Sequence, residues 1–328
     1  MRLAIRQELD AHFVEADASA SESFEHDGIS IRVEVSKAED RSFAVITCAG
    51  AIDLDCEPDG SESANRERPV MAYVVGGLIL HAQGGGLDLS ERALADGYSR
   101  ITAALTRVGA LVRWRFNLSG SDSVFKQSTV TLEADDGRIV ELLQIPQAAM
   151  GDDASTLGAG QLADVPALLS VERREPLAHQ LLREAWNLRH GNPRASLVIG
   201  VAAAEVGMKQ LIAALVPDAR WLVEELPSPP LSTMVKDYLK ELPIRADVPP
   251  ARRSPKHLRR LLHDAVEARN QVVHRGTTPA VSLRETLTGI REFLYLLDFY
   301  CGHSWAIERL SVETRAALAL EDGRGSPT

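Results

Sequence analysis

The chain has 328 residues, more than one ordinary hydrophobic core accommodates, and its 45% hydrophobic and 25% charged residues are those of a globular protein, so two domains are expected. Its net charge of −10 is uneven: residues 1–160 carry 14 Lys+Arg against 26 Asp+Glu, whereas 161–328 carry 22 against 20. The acidic front half repels nucleic acid, which assigns any nucleic-acid work to the back half.

The opening "MRLAIRQELDAHF" is charged throughout and lacks the apolar core of a secretory signal. The most apolar run, "SLVIGVAAAEVG", is interrupted by Glu205, so no membrane span is expected. Cys48, Cys56 and Cys301 are scattered and odd in number, which fits neither a disulfide scaffold nor a zinc site. A reducing cytoplasm is the expected compartment.

Along the chain, "ISIRVEVS" (29–36) and "SFAVITCAG" (42–50) read as strands around a charged turn. Residues 53–69 are a polar, acidic loop, whose Asp53, Asp55 and Asp59 lack the order and closing glutamate of a calcium loop. "MAYVVGGLILHAQ" (71–83) reads as one buried strand, and the glycines after His81 match no phosphate-binding pattern. "ERALADGYSRITAALTRVG" has helical periodicity, with Ser90 as cap and Gly109 as stop. "LVRWRFNLS", "STVTLEA" and "RIVELLQI" follow as strands, the last two joined by the turn signal "DDG". This half is expected to be an α+β domain with a mainly antiparallel sheet.

The small, acidic stretch 147–164 reads as a linker, and everything beyond it as helical. Helices are expected over "EPLAHQLLREAWNLRH", then from Asn192-Pro193 to Pro217, over "LSTMVKDYLKEL", from Ser254-Pro255 to Gly276, and over "SLRETLTGIREFLYLLDFY". The resulting organisation is an α+β domain at 1–150, a linker at 151–166, an all-α helical bundle at 167–315 and a flexible tail at 316–328. The fold class is α+β for the chain as a whole.

The chemistry concentrates in "EARNQVVHRG" (267–276). Leu258, Leu261, Leu262, Ala265, Val272 and Val273 mark the buried stripe of this helix. The stripe runs on into Arg269, a charge that must be paired or face a cavity. Asn270 and His274 are i,i+4 neighbours on one face. Arg269 and His274 lie about 140° apart around an ideal helix. They converge on one small target only if the helix unwinds before Gly276 or a second copy supplies one of them. Glu205, isolated in "VAAAEVGM", needs a partner, and Arg269 is the candidate.

Arg269-Asn270-x-x-x-His274 resembles the R-N-x-x-x-H signature of the HEPN domain family, small helical nucleotide-binding domains of toxins, defence effectors and RNA-processing proteins. The resemblance covers roughly residues 170–305; the first half resembles no family. It implies a homodimer whose facing motifs cut RNA without metal or other cofactor, through attack of the 2′-hydroxyl on the adjacent phosphate. His274 would be the acid/base, Arg269 the phosphate ligand and Asn270 an orienting group, with Glu205 in support, as acidic residues at a similar place in the family often face the motif arginine. Each role suits its residue type. Beside the motif, the basic run "RRSPKHLRR" (252–260) supplies Arg252, Arg253, Lys256, Arg259 and Arg260, which fit either a phosphate-tracking patch or a solvated helix face, and Arg275 would contact an RNA phosphate. His263 and Asp264 read as surface residues.

The expected function is therefore a metal-independent endoribonuclease, in defence or toxin-like growth arrest, with residues 1–150 as a sensing, RNA-selecting or regulatory domain open to a trigger or protein partner. Two other readings stay open. One is a non-catalytic HEPN module for nucleotide binding and dimerisation. In the other, Arg269 is only an ion-pair partner and His274 only a helix C-terminal cation.

Overall fold

The computed structural model describes residues 2–13, 20–26, 29–37, 43–51, 71–75, 78–82, 91–117, 125–133, 139–143, 155–157, 168, 174–225, 229–276 and 281–320. The acidic loop 53–69, the glycine turn after residue 82, the proposed cap Ser90, most of the linker 151–166 and the end of the tail lie outside them. The chain divides into two compact units, Met1–Arg174 and Glu175–Thr328.

In the first unit the backbone forms strands β1 (Arg2–Phe13), β2 (Ala20–His26), β3 (Ile29–Lys37), β4 (Phe43–Ala51), β5 (Met71–Val75), β6 (Leu78–Ala82), β7 (Phe125–Glu133), β8 (Ile139–Leu143) and β9 (Ser155–Leu157). The ladder order is β2-β3-β4-β1-β7-β8-β6-β5, antiparallel throughout, with β9 added in parallel beside β1. β1 alternates Leu3, Ile5 and Leu9 with Arg2, Ala4, Arg6, Glu8 and Asp10, the period of a strand with two unlike faces. Val75 pairs with Leu78, so the segment expected as one strand is two, joined by Gly76-Gly77, a two-residue hairpin sequence.

Helix α1 (Glu91–Phe116) packs against β1, β4 and β5. Its last turn and a half is the segment expected to be the strand "LVRWRFNLS". Gly109 does not stop the helix: an interior glycine costs only about 1 kcal/mol. Burying Leu111, Val112, Trp114 and Phe116, each at most 2% exposed, outweighs that cost. Tyr98, Ile101, Leu105 and Val108 continue the buried set towards the N-terminus.

The expected α+β fold class is corrected accordingly. Helix predominates over sheet, and the buried core among the described residues lies mainly on helices, which points to a helical protein rather than one organised around an antiparallel sheet. α1 takes residues that periodicity had assigned to the sheet, and the second unit has no strand among its described residues.

The second unit consists of α2 (Leu177–Leu188), α3 (Pro193–Leu215), α4 (Arg220–Glu225), α5 (231–241, with a π-helical turn at Met234–Tyr238), α6 (Lys256–Arg275), α7 (Leu283–Tyr300) and α8 (Val312–Leu318). Asn192 caps α3, its Oδ1 accepting from the Ala195 N–H at 3.2 Å, with Pro193 at the first helical position. Ser254, expected to cap α6, does not: Pro255 holds the cap position, and the Ser254 hydroxyl is buried without a hydrogen-bond partner. α8 ends at Leu318, which is 1% exposed, so the helical part of the unit passes residue 315.

α3 is the central helix, packed on α2, α6 and α7. Gly200 and Gly207, a heptad apart, face α7: a Cβ on either would come 2.6 Å from Leu287 Cδ2 or 2.5 Å from Leu294 Cδ2. The two glycines thus set how closely α3 and α7 approach. α3 is also long and apolar enough to cross a membrane by composition, with mean hydropathy 1.6 over a window of which 44% is buried. Here Leu197, Val201, Ala203, Ala204 and Met208 form part of the bundle core.

Candidate functional site

The motif lies on the last two turns of α6. One face of this helix packs Ala265, Ala268 and Val272 against Leu197 and Val201 of α3. Arg269 borders that seam. Its Nη2 donates to Glu205 Oε1 at 2.7 Å, joining α6 to α3, with side-chain exposures of 28% and 31%. The lone glutamate of the apolar helix and the arginine in the apolar stripe are each other's partner. Arg269 Nε is buried without a hydrogen-bond partner, while the partly exposed guanidinium reaches solvent beside the ion pair. The charge is half-buried, so its hydrogen bonds are stronger than those of a surface arginine.

Asn270 is half-buried and His274 exposed on the adjoining face. The helix does not unwind before its end: it continues through Arg275, and Gly276 closes it at φ +65°, its N–H bonded to Val272 O at 3.0 Å. Within one chain, Arg269 and His274 therefore point in directions about 140° apart. Val273, expected in the buried stripe, is 55% exposed. It sits one residue, about 100°, past the seam that holds Val272, on the border between Arg269 and Asn270.

Arg275 is exposed in the last turn, where its charge and that of a protonated His274 complement the helix dipole. Arg260 is exposed and lies 3.9 Å from Asp264, a turn away; Arg259 is half-buried. Arg253, from the same basic run, serves the fold instead. Its guanidinium donates to the carbonyls of Lys240 at 2.8 Å, Leu242 at 2.7 Å and Val248 at 3.0 Å. Among the described residues no group of three or more His, Cys, Asp or Glu is placed to hold a metal ion.

A second polar cluster had no place in the sequence reading. His179 Nε2 and Asp298 Oδ2 lie 2.9 Å apart, with both residues at most 7% exposed, and Glu175 is ion-paired with Arg183 nearby in sequence. Tyr295 packs on His179, and its burial pushes the phenol above the usual tyrosine range. Asp298 in "LYLLDFY" carries a signal like the one that singled out Glu205: one acid within an apolar stretch. A third cluster joins α6, α7 and α8. The Thr314 hydroxyl donates to Glu292 Oε1 at 2.5 Å and lies 2.9 Å from His257 Nε2.

Comparison with protein families, with curated proteins and with solved structures finds no match to this chain.

Proposed function

We propose that this protein is a metal-independent endoribonuclease of the HEPN type, working as a homodimer. The observation that carries the reading is the anchoring of Arg269 by Glu205, with a half-buried Asn270 and an exposed His274 on the neighbouring face. The ion pair fixes a cation at the helix surface without consuming all its donors. A guanidinium held in this way suits the charge that develops on a phosphorane. His274 moves the proton of the attacking 2′-hydroxyl or of the leaving oxygen, and Asn270 orients the phosphate or the imidazole.

One chain does not assemble this set, because its helix stays intact to Arg275. Two copies related by a two-fold axis past Val273 would bring Arg269 of one near His274 of the other. Val273 is apolar and 55% exposed, as an uncovered interface residue would be. Arg275, Arg259 and Arg260 supply phosphate contacts outside the reacting centre. The first unit would sense a trigger, choose the RNA or hold the nuclease in check, in a cytoplasmic defence or growth-arrest role.

The separation of Arg269 from His274 also favours a second reading, a non-catalytic module that binds nucleotides and dimerises. Substituting His274 distinguishes them: binding survives in the second reading, and RNA cleavage disappears in the first.

A further inference from the structure

The outer face of α6 does more than present the motif. Lys256, His263, Asn270 and His274 follow one another at intervals of seven, seven and four residues, which keeps them within about 40° of one line along the helix. Arg259 and Arg260 flank the line, each within about 60° of it. Lys256, Arg260, His263 and His274 are exposed; Arg259 and Asn270 are half-buried. The opposite face holds the buried Leu258, Leu262, Ala265, Ala268 and Val272, so the stripe faces solvent.

From Lys256 to His274 the stripe is about 27 Å long at 1.5 Å per residue. Its basic end is uncompensated: among the described residues neither Lys256 nor Arg259 has an ion-pair partner. The 3.9 Å approach of Arg260 to Asp264 is a weak surface pair at 86% and 56% side-chain exposure. Glu267 is the acid on the stripe itself, between His263 and the motif, and Asp264 stands at its edge. A bare cationic end, a polar middle and the proton-transfer group at the far end form a one-strand path. The Val266 and Val273 edge, where the second copy would sit, lies to one side and leaves the path open.

We infer that this stripe is the binding track for the single strand of RNA that leaves the scissile bond. Its phosphates pass His263 and meet Lys256, Arg259 and Arg260 about four turns of helix from His274. The inference rests on the nuclease reading and extends it to the substrate: an unpaired strand several nucleotides long, held by its backbone. The stripe has no aromatic side chain, so base stacking contributes nothing and recognition is sequence-tolerant and salt-dependent.

The test uses the full chain and a fluorescent 2′-O-methyl RNA 12-mer, which lacks the attacking hydroxyl and stays intact. Binding by wild type and by the Lys256→Gln/Arg259→Gln/Arg260→Gln variant is followed by anisotropy across a salt series. The track predicts that the variant binds at least tenfold more weakly, with a salt slope shallower by about 2, from about 0.7 per lost contact to a single strand. A trinucleotide, too short to reach Lys256, should bind both proteins equally. Twelve-mer binding with an unchanged slope in the variant would overturn the track and leave the nuclease reading standing. Preference for a duplex of the same sequence would also overturn it. No binding of RNA by wild type would overturn both.

Discussion

Glu205 and Arg269 are 64 residues apart in the chain and 2.7 Å apart in the fold. Their ion pair joins the central helix of the bundle to the helix that carries the motif, and it sets the direction of the guanidinium that borders the apolar seam. Glu205→Gln should therefore cost little stability, about 1–2 kcal/mol, because the pair is about a third exposed. It should lower RNA cleavage more than it lowers stability, since the arginine loses its anchor. Denaturant melts and single-turnover cleavage of the same preparation separate the two effects.

Arg269→Lys keeps the charge but removes the planar fork. The bundle should fold with nearly unchanged stability while cleavage falls by about 10²-fold or more, as for other lost oxyanion contacts. Equal activity in the lysine variant would mean that Arg269 supplies only charge.

The His179–Asp298 pair lies in a drier place, and its role is structural. Asp298→Ala leaves a buried histidine without its carboxylate and should destabilise the chain by about 3–5 kcal/mol. Urea unfolding of this variant should show the loss, while cleavage per folded molecule stays at the wild-type level.

Packing of α3 on α7 depends on Gly207. A methyl group there meets Leu294, so Gly207→Ala should cost about 1–3 kcal/mol by overpacking. Combining it with Leu294→Ala should be less destabilising than the sum of the two single changes, because each removes the other's conflict. A double-mutant cycle of thermal melts measures the coupling.

Val273→Asp places a charge on an apolar side chain that is 55% exposed. The fold should tolerate it. If that edge is the two-fold interface, sedimentation should show a monomer, and cleavage should be lost although His274 and Arg269 are intact. A dimer that survives the substitution would place the interface elsewhere.

Much of the second unit was legible because its helices carry local signals: Asn192-Pro193 at one end, Gly276 at another, and apolar stripes between. Pairing of Glu205 with Arg269 was legible too, because charges within apolar faces have few solutions. Asp298 offered the same signal, but its partner His179 sits in an ordinary amphipathic turn and has no mark of its own. The failures came where local rules conflict. Residues 111–116 alternate Arg113 and Arg115 with Val112, Trp114 and Phe116, the period of a strand, yet all six are buried on α1, and tertiary burial decided for the helix. β1 escaped notice because its charges hid a two-residue alternation. Ser254-Pro255 looked like a cap, yet whether a hydroxyl turns towards the helix end depends on what surrounds it.

The most direct measurement is cleavage of total RNA, in EDTA, by the purified chain and by its His274→Ala variant, with matched DNA alongside. Wild type should cut RNA alone and leave 2′,3′-cyclic phosphate ends, and the variant should be at least 10²-fold slower while folding normally. RNA left intact by a folded, dimeric second unit freed of residues 1–174, or cut equally well by the His274 variant, would contradict the assignment of this helix end as a nuclease centre.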